Sequence, residues 1–103
     1  MLVVDRHVGQ SVSIHCRTAS APLLLTVTAA GAGECSIALL ANDPWPALPI
    51  SLRLKLWADE EIVSPCGPIH IGLVRSTRGR VRLGISAPAQ CLISRSELSE
   101  RAY

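Results

Sequence analysis

Apolar and polar residues alternate with a period of two along most of this chain, the pattern of half-buried strands rather than of helices. The clearest case is residues 81–98, VRLGISAPAQCLISRSEL, where Val81, Leu83 and Ile85 share one face and Arg82, Gly84 and Ser86 the other. An Ala87-Pro88 corner follows, then a short apolar run, Cys91-Leu92-Ile93. Ser94 and Glu97 stand three apart, the spacing of a helix capping box, so the stretch predicts strand, corner, strand and short helix.

Upstream, residues 2–4 predict a short strand, Arg6-His7-Val8-Gly9 a turn, and residues 11–14 a second extended segment. Residues 18–22 are small and polar and predict a loop. Leu23, Leu25 and Val27 then share one strand face, residues 30–33 supply a glycine-bearing hairpin turn, and residues 35–41 return with Cys35, Ile37, Leu39 and Ala41 in alternation. In the second half Leu52, Leu54 and Leu56 alternate, residues 57–61 form a corner and residues 65–68 a breaker. A strand over residues 69–74, a turn over 76–79 and a strand over 80–86 close the series. Leu40-Ala41-Asn42-Asp43-Pro44 overlays Gly84-Ile85-Ser86-Ala87-Pro88, each after a glycine-bearing hairpin. The chain therefore divides into two repeats, residues 1–51 and 52–103, within a single compact domain.

Composition fits a sheet-rich core: 49% of the 103 residues are hydrophobic, Phe is absent, and Val, Ile and Leu dominate. The formal charge of +2 is too small to mark a nucleic-acid binder. Its distribution changes that picture. Residues 1–51 carry two basic against three acidic side chains, and residues 52–103 eight against five. Arg78, Arg80 and Arg82 fall on one strand face, readable either as a solvated surface or as a basic edge. No apolar run approaches a membrane span and no signal peptide is apparent, so a soluble, cytoplasmic protein is expected.

Cys16, Cys35, Cys66 and Cys91 are widely spaced beside apolar residues and are expected as free, buried thiols. Cys66-x-x-x-His70, with His15 elsewhere, is a weak metal spacing, and no metal or cofactor is expected. No Ser/His/Asp or paired-carboxylate arrangement stands out, which argues against an enzyme. Trp45 and Trp57 border the repeat junction and are expected to pack there rather than stack on bases.

Two separated blocks carry a family resemblance. Val81-Arg-Leu-Gly-Ile-Ser-Ala-Pro88, followed by Ile93-Ser94-Arg95-Ser96-Glu97-Leu98, is similar to the closing segment of the carbon storage regulator (CsrA/RsmA) family of bacterial RNA-binding translational regulators. The opening residues 1–14, with Arg6, Val8 and Gly9, resemble the family's first strand. The resemblance implies an all-β fold of CsrA-like intertwined sheets with a short C-terminal helix. Because family members are dimers of roughly half this length, it further implies a single-chain pseudo-dimer. A family domain with an insertion of about half the chain is the rival architecture, and would make a homodimer rather than a monomer.

In the family, the RNA site joins the first strand of one subunit to the last strand of the other, lying parallel to it. Carried over, this gives Leu2, Val3, Val4, Asp5, Arg6 and His7 with Ala87, Pro88, Ala89, Ile93, Ser94 and Arg95. The implied ligand is single-stranded or hairpin-loop RNA bearing GGA, with Arg95 at the position most closely tied to RNA binding. Asp5, His7 and Ser94 depart from the family's residues. The second site would need Leu52 to Trp57 together with residues 47–52. Ser51 or a neighbour stands in place of Arg95, and the last strand of that repeat carries Pro46 and Pro49, so one working site is expected instead of two. The alternative function is a protein-interaction module or decoy of the CsrA system, recognising a protein antagonist through the acidic Asp59-Glu60-Glu61 corner or pairing with CsrA chains.

Overall fold

The alternation resolves into nine strands in a computed structural model that describes residues 2–17, 22–41 and 51–95. They are β1 (Leu2–His7), β2 (Ser11–Cys16), β3 (Leu23–Gly31), β4 (Glu34–Leu40), β5 (Ser51–Lys55), β6 (Asp59–Ser64), β7 (Gly67–Thr77), β8 (Arg80–Ser86) and β9 (Cys91–Arg95). Two sheets form, one in the order β1-β8-β7-β6 and one in the order β5-β4-β3-β2-β9. Every paired strand is antiparallel, and the fold is all-β among the described residues.

Along most of the strands, alternate residues point between the sheets. Ile14, Leu25, Val27, Ile37 and Leu54 from one sheet meet Ile62, Ile69, Ile71, Leu83 and Ile85 from the other in a single buried cluster. Each of these side chains contributes about 1.5–3 kcal/mol by leaving water.

The strand order has an internal symmetry. Replacing β1, β2, β3 and β4 by β5, β6, β7 and β8, and the reverse, turns β1-β8-β7-β6 into β5-β4-β3-β2. Thus β1 lies in the sheet built mainly by the second half, and β5 in the sheet built by the first. The details follow the order. β3 bulges at Thr28 and β7 at Val74, each the sixth residue before its turn glycine's neighbour strand begins at Glu34 and Arg80. Those glycines, Gly33 and Gly79, both take left-handed φ, +74° and +81°. Val8 N–H donates to Gly79 O at 3.0 Å as Leu56 N–H donates to Gly33 O at 3.2 Å. Gly9 N–H donates to Val27 O at 2.7 Å as Trp57 N–H donates to Leu73 O at 3.4 Å.

This matching corrects the overlay drawn from sequence. β4 and β8 correspond as Glu34 to Arg80 through Leu40 to Ser86, two residues away from a pairing of Leu40 with Gly84. Several element expectations also move. Arg6 and His7 belong to β1, and the turn is Val8-Gly9. Asp59, Glu60 and Glu61 belong to β6, not to a corner. Ser94 and Arg95 end strand β9 and do not begin a helix, because both extend the ladder onto β2 opposite Ser13 and Val12. The remainder of the expected C-terminal helix, residues 96–98, lies outside the described residues, as do most of the 18–22 loop, Trp45, Pro46 and Pro49.

Two of the four expected free thiols are not free. Cys16 and Cys66 form a disulfide, Cα–Cα 6.3 Å, that clasps the end of β2 to the β6–β7 turn of the opposite sheet. A separation of 50 residues in the chain concealed that proximity. Cys35 and Cys91 are free thiols. Burial, helped by the neighbouring Glu34 charge, pushes the Cys35 thiol up to about 11. No helix among the described residues is long and apolar enough to cross a membrane.

Candidate nucleic-acid interface

With Val81, Leu83 and Ile85 turned inward, β8 must present Arg80 and Arg82 on the outer face of the four-stranded sheet. The bulge at Val74 then reverses the phase of β7. Leu73 points inward, but so does Ser76, which leaves Arg75 and Thr77 outside. Buried Ser76 Oγ reaches the carbonyl oxygens of Gly31 at 2.5 Å and Glu34 at 3.1 Å, anchoring the bulged strand to the opposite hairpin. The inserted residue therefore serves two ends: it ties the sheets together and delivers a third arginine to the surface.

Arg75, Arg80 and Arg82, with Asp5, Thr77 and Val81, line a groove of about 170 Å³ beside β1. Asp5 faces Arg82 across the ladder and accepts from its Nε at 2.8 Å and its Nη2 at 3.3 Å, while Arg80 Nη2 lies 3.7 Å away. The Arg82 hydrogen bond holds the Asp5 carboxyl below the usual carboxylate range, and the same contact keeps Arg82 more firmly protonated. Asp5 thus neutralises part of the groove and fixes the fork of Arg82, leaving three guanidinium groups around one carboxylate.

An equivalent groove exists in the other half. It is lined by Ala29, Ala30, Gly31, Ala32, Glu34, Cys35 and Ser36. By the strand matching, Ala29 stands for Arg75, Gly31 for Thr77, Glu34 for Arg80 and Ser36 for Arg82. Asp5 has its counterpart in Arg53, which pairs with Glu34 at 3.7 Å, the same ion pair with its charges exchanged. One groove gathers arginine and the other does not.

The residues carried over from the family resemblance are distributed over two sheets. β1 is an edge of one and β9 an edge of the other, and the two are not hydrogen-bonded neighbours. β2 links them: Arg6 Nη1 donates to Ser11 O at 3.3 Å, and the next residue, Val12, is the register partner of Arg95. Leu2, Val3 and His7 are exposed and Val4 is buried. Arg6 is only 3% exposed, and its Nε donates to Asp5 O at 2.6 Å, so this guanidinium serves the interior in this conformation. Ala87, Pro88, Ile93 and Ser94 are half-buried, and Ala89 is exposed.

Sequence reasoning found Arg80 and Arg82 but not Arg75. A signal was present. Counting inward positions forward from Leu73 demands residue 75, whereas counting back from the Arg78-Gly79 turn demands residue 76, and only a bulge reconciles them. His70 does not join Cys66; it is exposed and lies 3.6 Å from Glu61. Comparison with family models, curated proteins and solved structures gave no match.

Proposed function

We propose that this chain is a single-chain, CsrA-like RNA-binding regulator that takes GGA-bearing, unpaired RNA through one basic surface and modulates translation in the cytoplasm. The observation that carries the reading is the strand exchange: β1 completes the sheet of the second half beside β8, as two intertwined subunits fused into one chain require. It is supported by the groove of Arg75, Arg80 and Arg82 next to that strand. Guanidinium groups recognise phosphate by paired hydrogen bonds and stack on unpaired bases, and a sheet face with exposed loops suits single-stranded rather than duplex RNA. Among the described residues no arginine lines the equivalent groove, which favours one site per chain, so the avidity of a two-site dimer is lost.

A gel shift with a GGA hairpin and its CCA counterpart tests the reading. Preference for GGA, weakened by salt and lost in Arg95→Ala, is the expected result. Equal affinity for both hairpins, or a shift that survives Arg95→Ala, defeats it. Sizing supplies a second check, since a pseudo-dimer elutes as a monomer near 11 kDa, whereas one domain with an insertion elutes as a dimer.

The rival reading, a protein-interaction module or decoy of the same system, draws on one observation. Arg6 is buried and Asp5 occupies two arginines, which reduces the charge offered to RNA. Binding to a protein antagonist with no RNA shift is the outcome that selects it.

A further inference from the structure

Three of the four cysteines meet at one place, far apart in the chain. Cys16 closes β2, Cys91 opens β9 directly opposite it in register, and Cys66 descends from the β6–β7 turn of the other sheet. Their sulfur atoms all lie within 4.8 Å of one another. Two of them are joined as the Cys16–Cys66 disulfide, and Cys91 remains a thiol.

The backbone around this point is already fixed without the sulfurs. Ser64 Oγ donates to Gly67 O at 2.6 Å and accepts from Cys66 N–H at 3.2 Å, which shapes the turn. Gly67 holds φ +129°, and a Cβ there would stand 3.2 Å from the Pro88 ring, so the turn seats closely on the corner before β9. Cys91 N–H donates to Pro88 O at 2.9 Å and Arg17 N–H to Gln90 O at 3.1 Å. A scaffold that converges three sulfurs and is held by other bonds is what a thiolate metal site requires.

We infer that, once the disulfide is reduced, Cys16, Cys66 and Cys91 bind one thiophilic d10 cation, Zn²⁺ or Cu⁺. This site is independent of the RNA reading. Sulfurs bound to one zinc at about 2.3 Å lie roughly 3.8 Å apart, so Cys16 and Cys66 separate once their bond is reduced while Cys91 stays within reach, adjustments that side-chain rotation supplies. Three thiolates with an open fourth position suit zinc plus a water, and three alone suit trigonal copper(I). The chemistry balances: a dithiol reductant gives two electrons and two protons to the S–S bond, becoming a cyclic disulfide, and the cation displaces three thiol protons. A small-molecule disulfide reverses it, taking two electrons, re-forming Cys16–Cys66 and releasing the cation with Cys91 free. Cys35 takes no part, being buried elsewhere in the core.

The test uses the whole chain, reduced anaerobically and freed of reductant. Zn²⁺ and Cu⁺ are titrated separately against chromogenic chelators, and Co²⁺ is added as an optical probe of thiolate ligation. The expected result is one cation per chain and a thiolate-to-cobalt charge-transfer band, both abolished by oxidation. Losing a ligand should cost no less than losing an outer-shell partner, so Cys91→Ser weakens binding at least roughly tenfold while Cys35→Ala leaves it unchanged. Alkylation mapped by mass spectrometry needs no variant: bound metal should protect Cys16, Cys66 and Cys91 together. Failure of the reduced chain to bind either cation, equal binding by Cys91→Ser, or protection of Cys16 and Cys66 without Cys91 overturns the site.

Discussion

The groove beside β1 is walled by Arg75, Arg80 and Arg82, and its counterpart in the other half by Ala29, Glu34 and Ser36. The backbone beneath them is the same: a bulge on one strand, a left-handed glycine in the hairpin, and an edge strand contributed from across the molecule. What differs most is the outward residues, which the core does not constrain. Inward positions keep their character in both halves, with Val81, Leu83 and Ile85 matched by Cys35, Ile37 and Leu39. The architecture is thus held by one set of positions while charge is free to vary on the other, and one fold carries two surfaces of unlike potential. Two inward pairs are exceptions: Cys16 against Ser64, and Arg6 against Leu54, an arginine and a leucine at equivalent buried places. There the arginine is retained by hydrogen bonds to backbone carbonyls of Asp5 and Ser11.

The largest test of this likeness concerns the covalent bond that only one half supplies to its strand end, since Ser64 stands where Cys16 does. The disulfide closes a loop of 50 residues, and by loop entropy its removal should cost about 4 kcal/mol. Urea unfolding of Cys16→Ala/Cys66→Ala against the oxidised protein measures this. An unchanged midpoint would show the clasp to be redundant with the sheet core.

Charge exchange between the grooves comes next. Arg82→Glu should lower RNA affinity by about tenfold or more, equivalent to roughly 1.4 kcal/mol, and flatten the salt dependence. The converse variant, Ala29→Arg with Glu34→Arg, should give the second groove its own electrostatic footprint. Fluorescence anisotropy at several salt concentrations reads both, and a null result for Arg82→Glu would detach RNA binding from the groove.

A smaller effect is expected at the β5–β6 corner, where Trp57 sits in the position of Gly9. Its φ is +66° against +92° for the glycine, and it is 85% exposed. A side chain in the left-handed region costs about 1–2 kcal/mol, and this one recovers little by burial. Trp57→Gly should therefore raise stability by about 1 kcal/mol, an upward shift of about 4 °C in Tm. If RNA affinity falls in the same variant, the strain is maintained for contact with ligand.

The smallest effect is the acid response of the Asp5–Arg82 pair. Asp5 titrates below its unfolded value of 3.8, so its stabilisation is fully present above that pH and fades as pH falls through the depressed folded value. Asp5→Asn should lower stability at neutral pH, where the charged pair is intact, and flatten the stability curve in the acid window, so that variant and parent converge there. Both are read from thermal melts between neutral buffer and buffers well below pH 3.8.

Much of the sheet was legible in the chain because alternation states which face is buried. Arg80–Ser86 stands in β8 as expected, and the Leu23, Leu25, Val27 face is fully buried. The misplacements share one physical origin. Period-two patterning detects a slip of one residue, which turns a strand inside out, but a slip of two leaves every face unchanged. Hence Leu40 could be laid on Gly84 when its structural counterpart is Ser86. Ser94 and Glu97 have capping spacing, but hydrogen bonding to β2 claims Ser94 first, a tertiary contact that local sequence does not contain. The Cys16–Cys66 contact was hidden for the same reason, and Arg75 because a bulge is read only by counting from both ends of β7.

The exchange of first strands also has a consequence for how the protein is made. β1 is synthesised well before its ladder partner β8, residues 80–86. At roughly 5–20 residues per second, about 4–16 s separate the synthesis of the two. β2 and β3 can pair meanwhile, but β1 must wait in solution or in the grip of a chaperone until β8 has been made. Assembly of this fold is therefore a matter of an early strand finding a late one, and abundance in a cell should respond to the speed of elongation as well as to the strength of the finished fold.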